Sequence, residues 1–111
     1  MDILFRERKF ERQCNQYSLL VCAHGEVRAR LIRKRLDALR AATNLEDLRN
    51  IPARLHQLKG DRKGQLSLDL DQPYRLVLVP NHNPVPVTPD GGMDWSRITA
   101  VKILGIEDTH E

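Results

Sequence analysis

Four histidines are the natural proton carriers of this chain, His24, His56, His82 and His110. Imidazole has an unperturbed pKa of about 6.5, so both protonation states are populated near neutrality and the ring serves as general acid or general base. The four are scattered, and no CxxC or HxxxH spacing occurs, so no metal site is indicated. Cys14 and Cys22 lie eight residues apart in what reads as one helix. A rise of about 1.5 Å per residue holds them about 12 Å apart, too far to pair, and both thiols read as structural. The cations are more clustered. Arg28, Arg30, Arg33, Lys34, Arg35 and Arg40 form one group, and Lys59, Arg62 and Lys63 another. A solvated helix face and a polar turn account for either group taken singly. Together they raise nucleic acid or an acidic protein as partner without deciding between them.

Whatever chemistry these residues do must be positioned by a single domain, residues 1–111, since 111 residues leave no room for a second core. Hydrophobic residues make up 41% and charged residues 30%, enough to bury a core under a charged surface, with a formal net charge of +3. No stretch approaches the roughly 20 apolar residues of a membrane span, and the first eleven residues alternate charge with apolar side chains, unlike a secretory leader. A cytoplasmic protein is expected.

Phe10, Cys14, Tyr17 and Val21 recur at helical spacing, which predicts an amphipathic helix over residues 6–23, ended by Gly25. A second helix is predicted over 26–42, with Ala29, Ile32, Leu36 and Leu39 as its apolar stripe and an almost wholly basic opposite face. Asn44 caps a short turn through Leu48, with Asp47 where a capping box places Glu or Gln. After Pro52 the period changes. Leu66, Leu68 and Leu70 alternate with Gln65, Ser67 and Asp69, which predicts a half-buried strand preceded by a turn at 59–64. Asp71-Gln72-Pro73 turns the chain into a central strand, 74–79, stopped by Pro80. Pro84, Pro86, Pro89 and the Gly pair 91–92 mark residues 81–95 as an exposed hairpin extension. A last strand is predicted over 98–106, and 54–58 adds a short one at an edge. The expected class is α+β, two N-terminal helices packed on a small antiparallel sheet of three or four strands.

Within this frame the run Leu55-His56-Gln57-Leu58-Lys59-Gly60-Asp61-Arg62-Lys63-Gly64, followed by Pro73-Tyr74-Arg75-Leu76, resembles the plasmid maintenance killer proteins, the HigB-type toxins of the RelE/ParE superfamily. The ending Glu107-Asp108-Thr109-His110 is similar to the acidic-Asp-Tyr-His close of that family, and the order of elements matches it over essentially the whole chain. The resemblance implies a toxin that cleaves messenger RNA in the ribosomal A site by attack of the RNA's own 2′-hydroxyl, with no metal or other cofactor. It also implies a partner, a helix-turn-helix antitoxin of HigA type. It places His56, Asp108 and His110 in or beside the active centre, with basic residues of the sheet surface handling phosphate.

Such a reaction needs a base for the 2′-hydroxyl, an acid for the 5′-leaving oxygen and positive charge around the phosphorane. With the resemblance in place, His56 is the expected base and His110 the expected acid, roles that could be exchanged, while Asp108 orients an imidazole or acts as base itself. Arg75 and Lys59 are the first choices for charge stabilisation, with Arg62 and Lys63 beside them. Plainer readings stand next to these: Arg75 could pair with an acidic neighbour across the sheet, and the 59–64 turn could owe its residues to turn geometry. Thr109 stands where the family often has tyrosine; it keeps a hydroxyl and loses a stacking face. His24 and His82 read as structural or exposed, and Trp95 as a loop anchor. Two other functions remain open: a non-catalytic toxin of ParE type that inhibits DNA gyrase, and a decayed toxin that only binds its antitoxin.

Overall fold

A period of about 3.6 residues sorts Ala29, Ile32, Leu36 and Leu39 to one side of residues 26–41, and all four are buried in the helix those residues form. The computed structural model describes residues 1–108; Thr109, His110 and Glu111 lie outside the described residues. In chain order the elements are β1 (Asp2–Phe5), α1 (Arg8–Asn15), α2 (Tyr17–His24), α3 (Glu26–Ala41), a 3-10 turn (Leu45–Leu48), β2 (His56–Gln57), a second 3-10 turn (Gly60–Arg62), β3 (Leu66–Asp69), β4 (Tyr74–Pro80), a third 3-10 turn (Trp95–Arg97) and β5 (Ala100–Asp108). The strands form one sheet in the order β1-β5-β4-β3-β2. Leu66 and Leu68 of β3, Leu76 and Leu78 of β4 and Val101 and Ile103 of β5 bury their side chains together with the apolar faces of the helices. The other face of the sheet is open only in being turned away from the helices; Ser67, Arg75, Val77 and Leu104 on it are buried, and Leu58 packs there.

The class is α+β, as the patterning implied, with three departures among the described residues. The sheet has five strands rather than three or four. It is mixed rather than antiparallel, because β1 runs parallel to β5, Asp2 opposite Ala100 and Phe5 opposite Ile103. Its four residues alternate, Ile3 and Phe5 against the core and Leu4 45% exposed, but so short an alternation cannot announce a strand whose partner lies about a hundred residues away. The third departure is that residues 6–23 do not form one helix.

Gln16 is extended, φ −138° and ψ 99°, and α1 and α2 fold back on each other about it. His24 thereby meets Phe10 edge-on, ring centroids 5.9 Å apart, and bonds the Gln13 side chain at 3.0 Å. Along a straight helix those fourteen residues would separate the two rings by about 21 Å. Nothing local demands the break, since no Pro or Gly lies there; folding back lets Phe10 and Leu20 both reach the core. Cys14 and Cys22 thus lie on different helices, both free. Burial pushes the Cys14 thiol up to about 12, a shift Arg40 partly offsets, which keeps it protonated and inert.

Local signals fared better elsewhere. Asn44 accepts from the Asp47 amide at 3.2 Å, and the Asp47 carboxylate accepts from the Thr43 amide, the expected reciprocal cap displaced by one residue. Tyr74 N–H closes the 71–74 turn on the Asp71 carbonyl at 2.8 Å. Residues 81–94 form a hairpin extension bridged at Val87 and Met93, and Trp95 anchors its base, buried beneath the Arg49 guanidinium at 4.3 Å.

Part of the basic face of α3 turns inward, through Arg28 and Arg35, while Arg30, Arg33, Lys34 and Arg40 are exposed. Arg28 donates to both Asp71 carboxylate oxygens at 3.0–3.2 Å and lies 3.8 Å from the centre of the Tyr74 ring. Arg33 lies over Tyr17, Arg35 donates to the Asp69 carbonyl and Arg40 pairs with Asp37. The Arg28 hydrogen bond holds the Asp71 carboxyl below its ordinary value of 3.8. A carboxyl depressed in the fold contributes stability that is present above its unfolded value and lost as the pH falls through the folded one. Asp71→Asn is therefore expected to cost at most about 1 kcal/mol at neutral pH and to flatten the acid limb of the stability curve. Denaturant midpoints at neutral pH and at pH about 3 check both halves.

One irregularity in β5 aims the end of the chain. Val77 faces Gly105 and Leu78 faces Ile103, so Leu104 is the extra residue of a bulge and turns to the open face. Beyond it Ile106 returns to the core side and Glu107 comes up beside Arg75. Gly105 has φ +139°, which side-chain-bearing residues rarely adopt, although nothing stands within 4 Å of where a Cβ would sit. Gly105→Ala is expected to cost about 1–3 kcal/mol through backbone strain alone, read as a lower thermal midpoint.

Candidate functional site

The open face of the sheet carries the residues with chemistry, in two cross-strand rows. His56 lies opposite Ser67, which lies opposite Val77; Asp69 lies opposite Arg75, which lies opposite Glu107. Alternation along each strand makes this inevitable once the leucines of β3 and β4 face the helices. Leu58 leaves β2 on the same side and packs on Val77 and Leu104, so the turn it leads into leans over the face. Arg62 in that turn donates to Gln65 at 2.8 Å and reaches Glu107 on β5 at 2.9 Å.

His56 is held in a defined state. Arg54 adopts φ +55°, an uncommon conformation for a residue with a side chain, and its carbonyl lies 3.1 Å from Nδ1 of His56. A carbonyl only accepts, so Nδ1 carries the proton and donates it, and Nε2 is left with its lone pair. That lone pair faces Arg75, whose Nη1–H donates to it at 3.3 Å, with the Ser67 hydroxyl at 3.5 Å. The half-buried ring is thus oriented as a base with a fixed cation beside it. Arg75 itself is buried, its Nε 3.5 Å from Asp69 Oδ1.

Of the residues singled out from sequence, the structure brings together His56 and Arg75 directly, and Arg62 through Glu107. Asp108, opposite Tyr74, ends β5 one residue beyond Glu107. Lys59 and Lys63 flank the Gly60–Arg62 turn and are exposed. His110 and Thr109 lie outside the described residues, so the expected acid and the threonine-for-tyrosine departure are not placed. Arg75 does pair with an acidic neighbour across the sheet, Asp69, and it faces His56 as well. His24 bonds Gln13, and burial with Arg28 nearby lowers its pKa; His82 accepts from the Thr99 amide at 3.0 Å. Both hold structure. Among the described residues no three His, Cys, Asp or Glu side chains converge as a metal site.

Ser67, Asp69 and Glu107 belong to the site and were not singled out for it. The signal was present, since Ser67 and Asp69 are the polar alternates of β3, and Ser67 is fully buried instead of facing solvent. Clefts lie along α1 and α2 and between α3 and residues 51–53. A base and several cations on one face of a sheet suit a polyanion laid across it.

No family model matches the chain, and a search of curated proteins finds no match. Solved structures do resemble it. The YoeB-YefM complex from Staphylococcus aureus contains a chain 16% identical, aligned over 100% of this chain and 98% of that one, with a TM-score of 0.55. A YoeB/ParE toxin from Agrobacterium tumefaciens is also 16% identical, over 99% of this chain and all of that one, with a TM-score of 0.54. At these identities the likeness is one of fold, and it spans the full length of both partners.

Proposed function

We propose that this protein is the toxin of a type II toxin-antitoxin system, a HigB-type member of the RelE/ParE superfamily, and that it cleaves translated messenger RNA on the ribosome. One observation carries this reading: the His56 imidazole is fixed by the Arg54 carbonyl with its free nitrogen 3.3 Å from Arg75, on an open face flanked by Lys59, Arg62 and Lys63. The fold shared with YoeB and ParE toxins supports it, as do the residues that resemble the HigB-type core.

In this reaction Nε2 of His56 takes the proton of a 2′-hydroxyl, whose oxygen attacks the adjacent phosphorus. The bond from phosphorus to the 5′-oxygen breaks, and that oxygen leaves with a proton from an acid, the role expected of His110. Arg75 turns its N–H groups from His56 to the phosphorane oxygens, where charge develops. The chain acts as one domain in the cytoplasm, held in check by a helix-turn-helix antitoxin of HigA type; the YoeB-YefM pair supports a partner of that role.

The test is induced expression of the wild type beside His56→Ala and His110→Ala, followed by mapping of 5′ ends on cellular messages. Cuts confined to translated frames and absent in both variants are expected. Growth arrest without cuts would favour a ParE-type gyrase inhibitor, a reading kept open by the fold shared with a YoeB/ParE toxin. Absence of any arrest would leave a decayed toxin that only binds its antitoxin.

A further inference from the structure

Two of the arginine-aspartate pairs among the described residues differ in kind. Arg28 and Asp71 make three hydrogen bonds at 3.0–3.2 Å, a saturated contact between α3 and the turn before β4. Arg75 and Asp69 are more deeply buried, their side chains 9% and 16% exposed, yet Nε and Oδ1 stand 3.5 Å apart. Neither of those two atoms has a hydrogen-bond partner among the described residues. A buried donor and a buried acceptor left short of each other cost stability, and such groups call for an explanation other than packing.

The backbone of Asp69 is tied on both sides. Its N–H donates to the Ala53 carbonyl at 2.8 Å, and its own carbonyl accepts from Arg35 Nε of α3 at 2.8 Å. Its carboxylate faces two guanidiniums, Arg54 through Oδ2 at 3.3 Å and Arg75 through Oδ1. Arg54 is the residue whose carbonyl orients His56. One carboxylate therefore fixes both the cation beside the base and the residue that holds the base.

From this we infer that Asp69 is the positioning residue of the site: it orients Arg75 by charge from the buried Nε side, which leaves the terminal N–H groups to His56 and to a phosphate. The inference rests on the cleavage reading above and adds a residue and a role to it. A saturated pair of the Arg28–Asp71 kind, which also engages a terminal nitrogen, would hold Arg75 equally still but would consume donors that the phosphorane needs.

Asp69→Asn keeps the size and removes the charge. It is expected to lower the single-turnover cleavage rate on the order of 100-fold, the usual effect of a misaligned reacting group, with the half-saturating protein concentration little changed. Asp69→Glu, which restores a carboxylate, is expected to recover most of the rate. In an Arg75→Ala background Asp69→Asn should add no further loss, because it acts through Arg75. Independent of cleavage, proton exchange at Arg75 Nε, followed by NMR, is expected to be slow in the wild type and faster in Asp69→Asn. An additive loss in the double variant, or unchanged exchange in a folded Asp69→Asn, overturns the inference. Should Asp69→Asn fail to fold, Asp69→Glu decides: a folded glutamate variant without recovered rate also overturns it. A wild type that cuts no message refutes the cleavage reading instead, and the exchange measurement still judges Asp69.

Discussion

His56→Ala is expected to reduce cleavage of translated message by about two to four orders of magnitude, the range a positioned general base supplies. The imidazole is the group on the open face whose free nitrogen is defined by its surroundings, Nδ1 being committed to the Arg54 carbonyl at 3.1 Å. Without it the 2′-hydroxyl must lose its proton to water. The fold should survive, since the half-buried ring lies at the sheet edge and the bonds it makes, to the Arg54 carbonyl and from Arg75 and Ser67, contribute about 0.5–1.5 kcal/mol each. His56→Gln sharpens the point. Its amide can still donate to Arg54 but cannot take a proton, so it should be as inactive as alanine. Counts of cut 5′ ends, with thermal midpoints for each variant, check this; undiminished cutting by a folded variant removes His56 from the chemistry.

Arg75→Lys should be nearly as damaging, with cleavage down on the order of 10²–10³-fold, although the charge is retained. Guanidinium presents a planar fork, and here Nη1 is directed at His56 while Nε lies toward Asp69. A lysine ammonium is one point at the end of a flexible stem and cannot occupy both positions. Arg62→Ala should matter less. Arg62 is already engaged by Glu107 and Gln65, its side chain is a third exposed, and its charge reaches the site across the sheet instead of from beside His56. Rate measurements on the three variants order them directly, and a lysine variant as active as the wild type would reduce Arg75 to a structural cation.

How much of this was legible in the residues depends on the range of the interaction behind each feature. The α3 stripe, the Asn44 cap, the 71–74 turn and the leucine alternation of β3 rest on contacts within a few residues, and each formed close to where spacing placed it. The break at Gln16 and strand β1 did not announce themselves, because each depends on surfaces distant in the chain. For β1 that surface is β5; for the break it is the core that Phe10 and Leu20 share. The basic stripe of α3 shows the same limit in charge. Its composition pointed outward to a polyanion, but Arg28 and Arg35 turn inward to Asp71 and the Asp69 carbonyl. A list of cations cannot say which of them carboxylates and carbonyls elsewhere will claim.

The sequence by itself determined the class of the fold and which residue types were candidates for the chemistry, since hydrophobic period and side-chain type are local properties. His56 and Arg75 could be singled out because histidine and arginine do this chemistry and because the run containing them resembles a known one. Only the tertiary structure decided that they meet, that the Arg54 backbone sets which nitrogen of His56 is free, and that Asp69 faces Arg75. Those relations depend on the registers of β2 with β3 and of β3 with β4, and a slip of a single residue in either would turn one strand's side chains to the opposite face of the sheet.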